Sequence, residues 1–248
     1  MRFLLFLFVL SNFVGSTKAQ QNSRWFEPKT LDTMLTFSDT VEITLKNTEP
    51  VAFDEYFIAP EILDTLIQSN ANYYRRALAI EKHQMKTYGD IFKKDTKGLH
   101  LKLSNGAWII LTPHPKSDSE SFTFEYFFRD HGYYSVRVQY SEGNRYDIVN
   151  YNTGKVTHLF GRPYFSPDGH YMISTSGDIS AGYNWNGFQL FQNNNGHLEL
   201  LGSYEPVRWA PDAGKWIDEN KFVLKCRTTE MKDGLFYYVP FHAELKIN

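Results

Sequence analysis

The chain has 248 residues, of which 42% are hydrophobic and 17% aromatic, and it carries 26 basic against 28 acidic side chains. This length is ample for one sizeable core. The mildly acidic balance excludes the basic excess by which nucleic-acid-binding proteins and binders of anionic membranes attract their ligands. We therefore expect no nucleic-acid partner.

Residues 1–19 predict a secretory signal peptide. Arg2 supplies the positive n-region, the run from Phe3 to Leu10 is unbroken and apolar, and Thr17-Lys18-Ala19 is a small-residue cleavage site. The apolar run is shorter than the roughly 20 residues that cross a bilayer, so a cleaved signal is favoured over an anchor. No later segment is long and apolar enough to span a membrane. We expect a secreted or periplasmic mature protein.

Residues 20–248 are predicted to form a single β-rich domain whose first part, 20–98, is extended and then helical. The segment Val41–Leu45 alternates as a strand does. Pro60 and Glu61 suit the first turn of a helix, apolar residues then recur at steps of three and four, and Gly89 is a plausible stop. This pattern predicts one or two helices between 60 and 88.

From residue 99 onward the sequence predicts strands joined by tight turns. Tyr133–Tyr140 alternates well, and glycine-containing turns of three or four polar residues separate it from the strands that follow. A second group of strands and turns of the same kind follows, and a third runs from Val207 to near Ile247. The first group is less regular: its opening turn is centred on Asn105-Gly106, and an insertion follows that turn.

Two copies of one phrase stand at Arg162–Tyr171 and Val207–Trp216, with their Pro-Asp pairs 44 residues apart. Each predicts an aromatic strand end, a turn containing Pro-Asp and Gly, and a second aromatic strand. Proline presets φ for such a turn, and Gly169 and Gly214 can adopt the positive φ that closes a hairpin. A period near 44 residues fits one four-stranded propeller blade.

The segment Phe165-Ser166-Pro167-Asp168-Gly169 resembles the repeated turn of WD-like β-propellers in bacterial envelope proteins and beside some serine peptidases. The resemblance covers about residues 99–248. It implies a mainly β fold: a propeller-like stack of about three four-stranded antiparallel blades with a helical segment near 60–88. An irregular antiparallel β-sandwich is the alternative.

Closed propellers have about four to eight blades, so three are too few for a ring. The N-terminal strands would complete a ring, the blades would form an open stack, or two chains would share one ring. An open stack needs its ends covered, and the helical segment is a candidate cover.

The chemistry-bearing residues predict neither a metal site nor a cofactor, and no catalytic residue. The eight histidines never occur as H-x-H or H-x-x-x-H, and the G-x-S-x-G motif of the peptidase relatives is absent. Cys226, the single cysteine, is expected to be a small buried residue. Glu125 and Asp147 are strand carboxylates of the kind that a glycoside hydrolase pairs across a cleft.

The most function-like segment is the long connection Ser174–Gly187 between two predicted strands of one blade. It combines flat apolar rings with hydrogen-bonding groups, a mixture suited to recognition; its candidate binding residues are Asp178, Tyr183, Asn184, Trp185 and Asn186. The propeller resemblance places this connection on the ligand-binding face and adds Arg162 and Glu205 to the same rim. The alternative is a loop that packs on itself and closes one end of the core.

These features favour a non-catalytic binding protein over an enzyme. The predicted partner is an envelope or extracellular protein, and the role is that of an inhibitor or assembly factor. A glycan-binding or glycan-cleaving envelope protein is the alternative, with an oligosaccharide as the partner. The sequence leaves the oligomeric state open.

Overall fold

The computed structural model describes residues 26–38, 41–53, 65–66, 69, 72–114 and 120–248. The predicted signal peptide and the predicted helix start at Pro60 lie outside these residues. The described residues are mainly β, as expected, with helix α1 (Tyr73–Tyr88) and sixteen strands in four antiparallel sheets. No helix among them is long and apolar enough to cross a membrane.

We number the four sheets along the chain. Sheet I contains β3 (Phe92–Asp95), β4 (Gly98–Lys102) and β5 (Trp108–Leu111). Sheet II contains β6 (Ser121–Phe128), β7 (Tyr133–Gln139), β8 (Asn144–Asn150) and β9 (Val156–Leu159). Sheet III contains β10 (Arg162–Phe165), β11 (Tyr171–Ser176), β12 (Gly187–Asn194) and β13 (His197–Tyr204). Sheet IV is ordered β1-β2-β16-β15-β14, with bounds β1 (Asp32–Ser38), β2 (Val41–Thr48), β14 (Trp209–Trp216), β15 (Lys221–Lys232) and β16 (Leu235–Ile247).

Three buried clusters join the sheets in chain order. Sheets I and II meet where the rings of Phe92 and Phe124 stack at 4.0 Å between centroids. Sheets II and III meet around Phe165, whose ring lies 5.1 Å from that of Tyr133, and sheets III and IV enclose Phe188 among their apolar side chains. Large aromatic side chains thus fill the faces of the sheets, as expected for this composition.

The segment that was predicted to form the first blade forms parts of two sheets in the structure. The sequence predicts one blade with an insertion between the turn at Asn105-Gly106 and the next turn, but this segment contains both β5 of sheet I and all of sheet II. The stack therefore has four sheets of three to five strands, where about three four-stranded units were expected. The N-terminal strands add to sheet IV, since β2 pairs with β16 in a register that places Leu45 opposite Leu245.

Helix α1 covers the edge of sheet II. Its Asn72 cap accepts hydrogen bonds from the amides of Tyr74 and Arg75. The buried Glu81 carboxylate accepts a hydrogen bond from the Phe124 amide at 2.8 Å, and Gln84 donates to the Glu125 carbonyl at 3.0 Å. These bonds satisfy backbone groups of β6 on the side where no described strand pairs with it.

The two copies of the repeated phrase fold differently. The first is the expected turn between β10 and β11, with Gly169 at φ 71°. The second lies inside β14 from Trp209 onward, so the predicted turn at Pro211–Gly214 is wrong. Asp212 is the extra residue of a bulge there, because Pro211 pairs with Cys226 and Ala213 with its neighbour Lys225. A proline is tolerated at a bulge of an edge strand, and β14 is the edge of sheet IV.

Candidate functional site

The loop 177–186 joins β11 to β12, as the sequence predicted, and Asp178 organises it. The Asp178 carboxylate accepts four backbone hydrogen bonds of 2.8–3.0 Å, from the amides of residues 181–184. Burial alone would raise the pKa of Asp178, but these amides outweigh it and hold the pKa below its usual value. Asp178 therefore shapes the loop from within.

Two asparagines tie the loop to its surroundings. Buried Asn186 accepts a hydrogen bond from the Asp178 amide at 3.1 Å and donates to the carbonyls of Pro206 and Trp209 at 2.8 and 2.9 Å. Asn184 accepts one from the amide of Asn144, the first residue of β8. Both amide side chains are thus engaged within the protein.

The two aromatic residues of the loop face different surroundings. The ring of Trp185 packs against Phe160 at 4.9 Å between centroids and lies over Gly187. Tyr183 is 58% exposed. Of the loop residues predicted to bind a partner, Tyr183 is the one that presents a large exposed surface.

Arg162 and Glu205 lie at the same end of sheet III, but only Glu205 is exposed. The Arg162 guanidinium is 12% exposed and lies in an ion pair between sheets II and III, with its Nη2 2.7 Å from Glu125 Oε1. Glu205 is exposed and precedes Pro206, whose carbonyl Asn186 binds, so it lies beside the loop. The structure therefore brings Glu205 near the predicted site and turns Arg162 inward.

Glu125 and Asp147 do not form a hydrolase pair. Glu125 accepts a hydrogen bond from the Tyr146 hydroxyl at 3.2 Å, and Asp147 follows Tyr146 in β8. Because successive side chains of a strand point to opposite faces, the two carboxylates lie on opposite faces of sheet II. Arg162 binds the first carboxylate and Arg145 the second.

The single cysteine is poorly suited to nucleophilic chemistry. Cys226 lies in the core, as predicted, and burial raises the pKa of its thiol well above the usual value, which disfavours the reactive thiolate. Within the described ranges, no group of three or more histidine, cysteine or acidic side chains is arranged to hold a metal ion.

The sequence analysis missed a hairpin that projects from sheet IV. Strand β14 stops pairing with β15 at Thr228, and β2 stops pairing with β16 at His242. Within the part of the chain that the structure describes, Thr229 to Tyr238 pair only with each other, and residues 230–238 are all exposed. We call residues 229–239 the arm. Asp233-Gly234 between apolar strands is a strong hairpin signal that could have located it.

One face of the arm is apolar and continues toward the loop. Met231 lies opposite Phe236, and the next pair on that face contains Tyr238. The three side chains are 51%, 74% and 57% exposed. The Tyr238 hydroxyl lies 2.6 Å from the hydroxyl of Ser180 in the loop. We name Tyr183, Met231, Phe236 and Tyr238 together the aromatic surface. Its side chains can bury apolar area against a partner.

The comparisons add no relative to this description. No protein-family model matches the sequence, and no curated protein matches it significantly.

Proposed function

We propose that this protein is a secreted or periplasmic, non-catalytic binding protein that acts through protein–protein interaction at the aromatic surface. The observation that carries the proposal is the exposure of Met231, Phe236 and Tyr238 on one face of a hairpin that no other described strand flanks. Contiguous exposed apolar patches mark interaction sites, and large aromatic side chains supply most of the energy at such sites.

The rigidity of the neighbouring loop supports the same proposal. Asp178 and Asn186 hold the loop through seven hydrogen bonds: five involve amides of the loop backbone, and two run from Asn186 to the carbonyls of Pro206 and Trp209. Tyr183 is therefore presented in a largely preformed conformation, which lowers the entropy lost on binding. The contact between Ser180 and Tyr238 joins the loop to the arm, so both contribute to one surface.

The proposal includes the propeller relationship. Four antiparallel sheets packed in chain order, with N-terminal strands added to the last sheet, support an arc of WD-like blades. In that setting the partner is an envelope or extracellular protein, and the role is that of an inhibitor or assembly factor. The signal-like residues 1–19 support the location.

A comparative capture experiment tests the proposal. Three baits are crosslinked to the extracytoplasmic proteins of the source cells: the wild-type protein, the Tyr183→Ser/Phe236→Ser variant, and Leu200→Ser as a control. Leu200 is also half exposed, but it lies in β13. We expect at least one protein that the wild type and the control capture and that the double variant captures about tenfold less, as loss of two anchors predicts.

Identical capture by all three baits, with unchanged unfolding midpoints, would contradict the proposal. An oligosaccharide panel in thermal unfolding addresses the glycan alternative, since a ligand at 100 times its dissociation constant stabilises a protein by about 2.7 kcal/mol. A midpoint shift with one sugar would replace the protein partner by a glycan.

A further inference from the structure

Both edges of the arm are unpaired among the described residues, but the β16 edge runs into a proline and the β15 edge does not. On the β16 side, Pro240 stands between the arm and the pairing with β2, and proline has no amide hydrogen to donate to an added strand. On the β15 side, residues 229–232 lie beyond the end of β14 and carry no proline. Exposed strand edges of this kind pair with other chains, and a two-stranded hairpin alone is only marginally stable.

The turn determines which backbone groups face that edge. Asp233 and Gly234 have φ values of 53° and 78°, as a two-residue type I′ turn requires. The flanking pair, Lys232 and Leu235, is then a hydrogen-bonded pair, and hydrogen-bonded pairs alternate with open ones along an antiparallel ladder. The amide and carbonyl of Met231 consequently point away from β16, toward the unpaired edge of β15.

We propose that the occupant of this edge is a second copy of the chain, paired antiparallel through β15 about a two-fold axis at Met231. In that register Glu230 of each copy stands opposite Lys232 of the other, so that the symmetry generates two attractive charge pairs. A register centred on Glu230 would set this carboxylate against its own copy, and like charges directly opposite are destabilising. The charges therefore select the pairing at Met231.

The dimer extends the arm into a four-stranded sheet. Glu230 and Lys232 lie on the face opposite Met231 and Phe236, because side chains alternate along the strand. The two copies of the apolar arm face would then lie side by side on one face of the new sheet. The edge is short, so the dimer should be weak, with a dissociation constant on the order of 10–100 μM.

This inference goes beyond the proposed function because it uses the edge of the arm and not its aromatic face. The full chain, expressed with its N-terminal segment so that the host can process it, is examined by sedimentation velocity over a wide concentration range. We expect a concentration-dependent dimer. Glu230→Lys or Lys232→Glu alone should each weaken it about tenfold, and the double exchange E230K/K232E should restore it.

An equimolar mixture of the two single variants provides a second test. In the mixed dimer, one chain carries a lysine at both positions 230 and 232 and the other carries a glutamate at both, so every facing pair is attractive. The mixed dimer should therefore form at concentrations where neither single variant dimerises. A monomer at every concentration would overturn the proposal, and a dimer indifferent to the charge exchanges would overturn its register. Loss of the dimer in Tyr183→Ser/Phe236→Ser alone would assign it to the aromatic face and overturn the edge pairing.

Discussion

The loop 177–186 and the arm 229–239 touch each other but are stabilised in opposite ways. In the loop, polar side chains bind the backbone of the loop itself and of its neighbours: Asp178 accepts from four amides and Asn186 bonds to three backbone groups. In the arm, the backbone pairs with itself and residues 230–238 are all exposed. The polar loop residues that the sequence predicts to bind a partner thus stabilise the loop. The exposed side chains of the arm are instead accessible to a partner.

The largest expected loss of stability comes from removing the side chain that anchors the loop. Asn186→Ala leaves one amide and two carbonyls without their partner at a buried site, so we expect the free energy of unfolding to fall by about 3 kcal/mol. Urea denaturation measures it, with Asn184→Ala as the matched control that removes one hydrogen bond and should cost about 1 kcal/mol. Equal losses for the two variants would show that Asn186 does not anchor the loop.

A smaller loss of stability is expected when the charge of Asp178 is removed, and it should depend on pH. Asp178→Asn removes one acceptor oxygen and the negative charge, and we expect a loss of about 1–2 kcal/mol at neutral pH. Because the folded pKa of Asp178 lies below its unfolded value, its contribution is present above about pH 4 and disappears as the pH falls through the folded pKa. Stability measured from pH 7 to pH 3 should therefore decline less steeply in the variant.

Asp168 provides the internal reference for this titration. Burial would raise the pKa of Asp168, but the Ser166 hydroxyl and the His170 amide hold it below its usual value, and it titrates in the same direction in both proteins. The difference between the two curves consequently isolates Asp178. Parallel curves would contradict its role.

The smallest expected effect concerns the arm. Phe236→Ser should change the free energy of unfolding by less than about 0.5 kcal/mol, because the side chain is 74% exposed and the arm pairs with itself. Hydrogen exchange sharpens the contrast: the amides of 181–184 should be protected, and that of Met231 should exchange quickly in dilute protein. If urea denaturation showed the same loss of unfolding free energy for Phe236→Ser as for Asn186→Ala, the proposed difference between the arm and the loop would be contradicted.

The sequence located the loop correctly but not the use of its residues. The strand before it, the strand after it and its excess length are local signals. The partners of Asn186 and Arg162 are not local: Pro206 and Trp209 follow Asn186 by 20 and 23 residues, and Glu125 precedes Arg162 by 37. The arm shows the converse, since Asp233-Gly234 is a local turn signal but nothing local shows where β14 and β2 stop pairing.

The two phrases at residues 162–171 and 207–216 show which features the local sequence determines and which the tertiary structure determines. By itself the sequence determined a mainly β chain with a tight turn at Gly169, because alternation and turn chemistry act within a few residues. Only the tertiary structure decided that the second phrase is a strand. A Cβ at Gly214 would overlap the Phe222 ring, and the Trp216 indole donates to the Tyr164 carbonyl at 2.9 Å. Burial between sheets III and IV outweighed the turn preference of Pro-Asp, and such burial depends on a residue 52 positions away in the chain.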